Sequence, residues 1–138
     1  MPAYSSKALW EKLGVPDHAT IVIANFTAHA IPDYLRDSPL EVTVRRDYFP
    51  RMPFIHIFVD SQARLVSEIQ QLLGYISTNE ILWVSWPKKA ARLSTDLTED
   101  SIRNYILPLG LVDVKVCSVT NELWSGLKLV IRTINRKP

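Results

Sequence analysis

The sequence predicts a three-layer α/β sandwich whose sheet is mostly parallel and closes on an antiparallel C-terminal hairpin. Three observations carry this. Short apolar runs bounded by turn residues alternate with helical stretches, the pattern of βαβ units joined by right-handed crossovers. Two of the runs, Ile21–Asn25 (IVIAN) and Ile81–Trp86 (ILWVSW), are apolar on both faces, as central strands of a parallel sheet are. The last two runs are separated by a link too short for a crossover, so they pair antiparallel.

Each element has its own signal. Ser5 or Ser6 can cap a first helix, with Leu9, Trp10 and Leu13 at helical spacing and Gly14 as its stop. Pro16-Asp17 is a turn. After the first strand comes a polar bend with a helical turn near Pro32–Arg36, and then a second strand over Glu41–Arg46 with alternating polarity. Tyr48–Pro53 holds two prolines and is a loop, and Phe54–Val59 is the third strand. Ser61 caps a helix carrying Leu65, Ile69, Leu72 and Leu73 on one face, which Gly74 ends. Beyond the fourth strand, Pro87–Thr95 is a basic loop. Asp96 or Thr98 then caps a helix with Glu99 and Asp100 in its first turn and a buried stripe of Ile102, Tyr105 and Ile106. Val112–Val119 and Leu127–Arg132 are the hairpin strands, joined through Thr120–Gly126.

A chain of 138 residues suits one domain, and 47% hydrophobic with 22% charged residues is an ordinary globular mix. A net charge of +2 is too slight for a nucleic-acid footprint. Arg45, Arg46, Arg51, Lys88, Lys89 and Arg92 do gather with Tyr48, Phe49 and Trp86 near one predicted edge of the sheet, but a nucleic-acid partner is not expected. The lone Cys117 allows no internal disulfide and no thiolate cluster, which fits a reducing compartment. Residues 1–10 lack the apolar stretch of a signal peptide, and no run is long enough to span a membrane, so a cytoplasmic location is expected.

Two stretches carry a resemblance: ILWVSWPKK with DLTED, and LPLGLVDVKVCSV with WSGLKLVIR. Through them the chain resembles an uncharacterised bacterial domain family of unknown function, over roughly its whole length and most strongly after residue 80. At the level of the fold it resembles a shortened S-adenosylmethionine-dependent methyltransferase, whose Rossmann-like sheet also ends in an antiparallel hairpin. That resemblance implies a glycine-rich turn after the first strand, where bare backbone approaches the cofactor. Here the turn reads Asn25-Phe26-Thr27-Ala28-His29-Ala30, with no glycine, so no cofactor is assigned.

Ligands of open α/β sheets bind outside the carboxyl ends of the strands. A cleft above the first and fourth strands would therefore draw on Asn25, Asp47, Trp86, Lys88, Lys89 and Arg92. Asp47 is either a ribose-binding acid or a solvated partner of Arg45 and Arg46, and the lysines are either anion ligands or a basic loop paired with nearby acids. Trp124, in the hairpin link, is either a lid or an anchor for a homo-oligomer, or packs under its own hairpin with Gly126 at a bulge. His56 sits between Phe54-Ile55 and Ile57-Phe58 inside a strand and is expected to be a hydrogen-bonded core residue, while Ser85 lacks the glycines of a nucleophile elbow. The three histidines have no metal-binding spacing. The leading expectation is a non-catalytic binding or regulatory domain; the alternative is a small-ligand (nucleotide or S-adenosylmethionine-like) binder or enzyme that uses the cleft, and the third reading is a weak nucleic-acid binder.

Overall fold

A computed structural model describes residues 7–26, 30–76, 80–88, 95–119 and 123–131. The elements run α1 (Leu9–Leu13), β1 (Ala19–Ala24), α2 (Asp33–Arg36), β2 (Val42–Arg45), β3 (Phe54–Phe58), α3 (Gln62–Leu72), β4 (Ile81–Pro87), α4 (Glu99–Ile106), a 3-10 turn (Leu107–Leu109), β5 (Leu111–Val119) and β6 (Trp124–Ile131). They form one six-stranded sheet in the order β2-β1-β3-β4-β6-β5. The pairs β1–β2, β1–β3 and β3–β4 are parallel, and β6 is antiparallel to both β4 and β5. The sheet is thus mixed and mostly parallel, ending in the expected antiparallel hairpin.

Local chemistry sets the helix ends. Gly14 stops α1 with φ 81°, a left-handed conformation that costs glycine little. The candidate caps Ser5 and Ser6 lie outside the described residues; Glu11 bonds the backbone of Ala8 instead. Thr98 caps α4, accepting from the Ser101 amide at 3.0 Å. Asp96, the other candidate for that cap, serves a different helix: its carboxylate accepts from the Gln62 amide of α3 at 2.7 Å. Ser61 caps α3 as its sequence suggests.

The alternation of β3 divides the interior in two. Ile55, Ile57 and Val59 face α3 and α4, with Leu65, Ile69, Leu72, Ile102 and Ile106 packed over them. Phe54 and Phe58 face the other way, with Leu13, Tyr34 and Leu35 from α1 and α2. This makes three layers, helix–sheet–helix, with β3 buried along its whole length. The Trp83 indole donates to the Leu13 carbonyl at 2.9 Å, fixing the end of α1 to β4.

The start of the last strand differs from expectation. Trp124, Ser125 and Gly126 do not belong to the link; they open β6, pairing with Pro87, Trp86 and Ser85 of β4. Gly126 is not a bulge residue. The register irregularity lies across the hairpin, between Asp113 and Lys115. Gly126 is required for packing: a Cβ there would stand 3.0 Å from Val119 Cγ2, 3.2 Å from Ser85 Oγ and 3.3 Å from Trp83 Cε3. The WSG segment has the composition of a turn because the sheet crowds at this point.

One polar chain crosses the apolar layer beneath α2. The Tyr34 hydroxyl lies 2.6 Å from His56 Nδ1, and His56 Nε2 lies 2.7 Å from Ser85 Oγ. Burial holds the Tyr34 phenol protonated, so we assign its O–H as donor to Nδ1 and the ring N–H at Nε2 as donor to Ser85. Burial also lowers the His56 pKa to about 3, and the ring stays neutral.

The folded state releases the His56 proton far below the ordinary value of 6.5, so its contribution to stability is complete above that value and is lost as the pH falls towards 3. Denaturant titrations between about pH 6 and 4.5 should therefore show stability falling by up to about 1.4 kcal/mol per pH unit, and His56→Gln should flatten that slope. An equal slope in the variant would assign it to other groups. Gly126→Ala should cost about 1–3 kcal/mol in the same measurement, because its new methyl overpacks Val119 and Trp83.

Candidate functional site

The strand order creates the site. β1 lies between β2 and β3, so the connections leaving β1 and β3 run to opposite sides of the sheet and open a crevice at their carboxyl ends. The expected cleft lay above the first and fourth strands. β3 stands between those two, and the strand facing β1 across the crevice is β3. The segment from Arg46 to Pro53 carries the chain past β1 without a helix. Its Met52 is buried and its Tyr48 and Phe49 half-buried in the α3/α4 layer.

Two grooves meet at Asn25, the residue that follows β1. The first holds about 360 Å³ and is lined by Asn25, Arg46, Asp47, Tyr48, Glu68 and Tyr75. Glu68 of α3 is buried and accepts a hydrogen bond from the Tyr48 hydroxyl at one oxygen, Oε1. Burial, with the Glu68 carboxylate beside it, raises the Tyr48 pKa and keeps the phenol protonated. Asp47 is bonded at both oxygens by Arg45, at 3.2 and 2.7 Å, and that hydrogen bonding holds its carboxyl below the usual range. The Arg45 guanidinium also stacks 4.7 Å above the Phe49 ring, and Arg46 donates to the Ala30 carbonyl.

The second groove, of about 270 Å³, is lined by Asn25, Phe26, Phe58, Asp60, Arg64 and Trp124. Phe58 forms its floor. The Phe26 ring lies 4.7 Å from Phe58 and Trp124 meets Phe58 edge-on at 5.1 Å. Trp124 reaches this end because β6 runs antiparallel and starts where the parallel strands finish. Asp60 follows β3 and Arg64 sits in the first turn of α3, so both rise from the rim of the crevice.

The structure thus places Asn25 with Asp47 in one groove and with Trp124 in the other. It separates the remaining candidates. Trp86 is buried in the α3/α4 layer and lines neither groove. Lys88 stands on the hairpin side, its Nζ 2.6 Å from Ser118 Oγ and its amide bonded to the Leu123 carbonyl. Lys89 and Arg92 lie outside the described residues. Glu99 and Asp100, two acids that a paired basic loop would use, are held by Arg103 of their own helix, which also bridges to Asp113 of β5; residues 89–94 of that loop lie outside the described residues. Phe26, Phe58, Asp60, Arg64 and Glu68 were not singled out in the sequence. The legible signal was Asp60-Ser61, a polar pair between an apolar strand and a capped helix.

Asn25 has φ 65°, so the turn after β1 adopts a left-handed conformation without glycine. Asparagine accepts this geometry more readily than other residues with a Cβ. The next residue, Phe26, packs its ring at a tilt against Phe58 where a glycine-rich turn would leave bare backbone.

No family model matches this chain, and no curated protein matches it. Among solved structures it is similar to a protein in the NADB-Rossmann superfamily from Streptococcus agalactiae, with 13% identity, 99% of this chain and 73% of the other covered, and a TM-score of 0.49. Among the described residues, no helix is long and apolar enough to cross a membrane.

The left-handed turn gives a direct test of how the crevice is built. Asn25→Val should lose about 1–2 kcal/mol of unfolding free energy, whereas Asn25→Gly should keep the stability of the parent within about 1 kcal/mol. Equal stability of all three in urea denaturation would refute the turn geometry.

Proposed function

We propose that this chain is a shortened methyltransferase-like domain that binds a small ligand at the carboxyl ends of β1 and β3 and does not transform it. The observation that carries this reading is the convergence of two grooves on Asn25, where the strand order reverses. The mostly parallel sheet with its closing antiparallel hairpin supports the methyltransferase-like comparison. The grooves offer carboxylates, guanidinium groups and aromatic faces, and their described lining holds no serine, cysteine or histidine. The chain Tyr34–His56–Ser85, which has the residue types of a proton relay, lies sealed in the core with every member hydrogen-bonded. Phe26, packed against Phe58, argues against seating an adenosyl cofactor on this turn.

A second reading, a ribose-bearing ligand, is favoured by one feature: Asp47 and Asn25 line the same groove. Against it, Arg45 already holds both Asp47 oxygens.

Thermal-shift screening with nucleosides, nucleotides, sugars, amino acids and S-adenosylmethionine tests the proposal. A ligand present at about 100 times its dissociation constant should add about 2.7 kcal/mol of stability. Substituting the exposed Tyr75 and Asp60 together with alanine, one from each groove, should abolish that gain. A ligand whose shift survives the double variant binds elsewhere, and methyl transfer from S-adenosylmethionine by pure protein would show the domain to be an enzyme.

A further inference from the structure

We infer that the groove above Phe58 takes a zwitterionic α-amino acid with a flat or apolar side chain, its ammonium held by Asp60 and its carboxylate by Arg64. This rests on the ligand-binding reading above and names the ligand class of that site.

The chain's other arginine–acid neighbours among the described residues are paired. Arg36 pairs with Asp33, Arg45 with Asp47, and Arg103 with Glu99, Asp100 and Asp113. Asp60 and Arg64 also stand four residues apart with opposite charges. Yet among the described residues their side chains pair neither with each other nor with any other group, and both are exposed on one groove. The Asn25 amide and the Trp124 indole N–H, on the same lining, likewise make no hydrogen bond among the described residues. Among the described residues, four polar groups therefore stand without a partner around an aromatic floor.

The charge pattern selects the ligand. A phosphate or simple carboxylate would meet repulsion from Asp60 along with attraction from Arg64, and a simple amine would meet the reverse. A molecule with both charges one carbon apart satisfies both residues with charge-assisted hydrogen bonds. The helix cannot substitute for Arg64 as the anion holder. Of the first three amides of α3, Gln62 already donates to Asp96 and Arg64 to Ser61. The aromatic surfaces of Phe26 and Trp124 on the floor of Phe58 then receive an apolar or planar side chain.

Titration calorimetry on the full chain at low salt tests this with three probes: L-phenylalanine, L-phenylalaninamide, which lacks the carboxylate, and N-acetyl-L-phenylalanine, which lacks the ammonium. Phenylalanine should bind at least about tenfold more tightly than either capped analogue. Asp60→Asn should close the gap to the N-acetyl compound, and Arg64→Gln the gap to the amide, with circular dichroism showing that both variants fold. Equal binding of the capped analogues overturns the inference. So does failure of phenylalanine, leucine and tryptophan to bind at millimolar concentration. In either case, a nucleoside or sugar whose thermal shift is lost in the Tyr75/Asp60 double variant leaves the ligand-binding reading standing, whereas no shift from any compound removes both.

Discussion

The buried imidazole of His56 is the constraint around which the α1/α2 layer is arranged. A neutral histidine inside an apolar layer needs a partner at each ring nitrogen, because an unsatisfied polar group there costs kilocalories. The two partners come from different elements, Tyr34 from α2 and Ser85 from β4. Satisfying the ring therefore sets how α2 lies on the sheet. The stacking of His56 on Phe58, at 4.1 Å, continues this order to Phe26 and Trp124. The aromatic floor of the second groove is thus the outer end of a packed column whose inner end is a hydrogen-bonded histidine.

The crevice combines rigid and available parts. Its floor and back come from buried strand ends and from the Tyr48–Glu68 bond. Its rim is polar and exposed. Binding sites commonly divide labour this way, with fixed apolar surface for affinity and a few polar groups for selection. The Asp96 contact fastens the start of α3 to the segment leading into α4, so the rim that carries Arg64 is held at both of its approaches.

Much of the architecture was legible in the sequence, for reasons visible in particular residues. FIHIF and ILWVSW are buried on both faces in the structure, and runs without polar alternation indicate that environment. The closing hairpin followed from link length. The strand order was less legible. The crossing from β2 past β1 uses a helix-free segment, and nothing in Tyr48–Pro53 announces which neighbour the next strand will take. A cleft read over the first and fourth strands takes in Trp86 and Lys88, whereas the two grooves of the structure meet at Asn25 beside β1 and β3, with Asp47 lining one and Asp60 and Arg64 the other. Trp124 and Gly126 were misplaced for a different reason: a small residue demanded by close packing has the same composition signature as one demanded by a turn.

The irregularity between Asp113 and Lys115 has a consequence for the chain in a crowded solution. β5 is the outermost strand at its side of the sheet and nine residues long, with Val114 and Val116 more than half exposed. A straight strand of that kind is a template for stacking one molecule on the next. The extra residue breaks the inward–outward alternation midway and places a lysine just beyond it, so no long flat segment is presented for a foreign strand to zip onto. The kink thereby acts as a built-in guard against fibrous growth along the one side where the valines are bare.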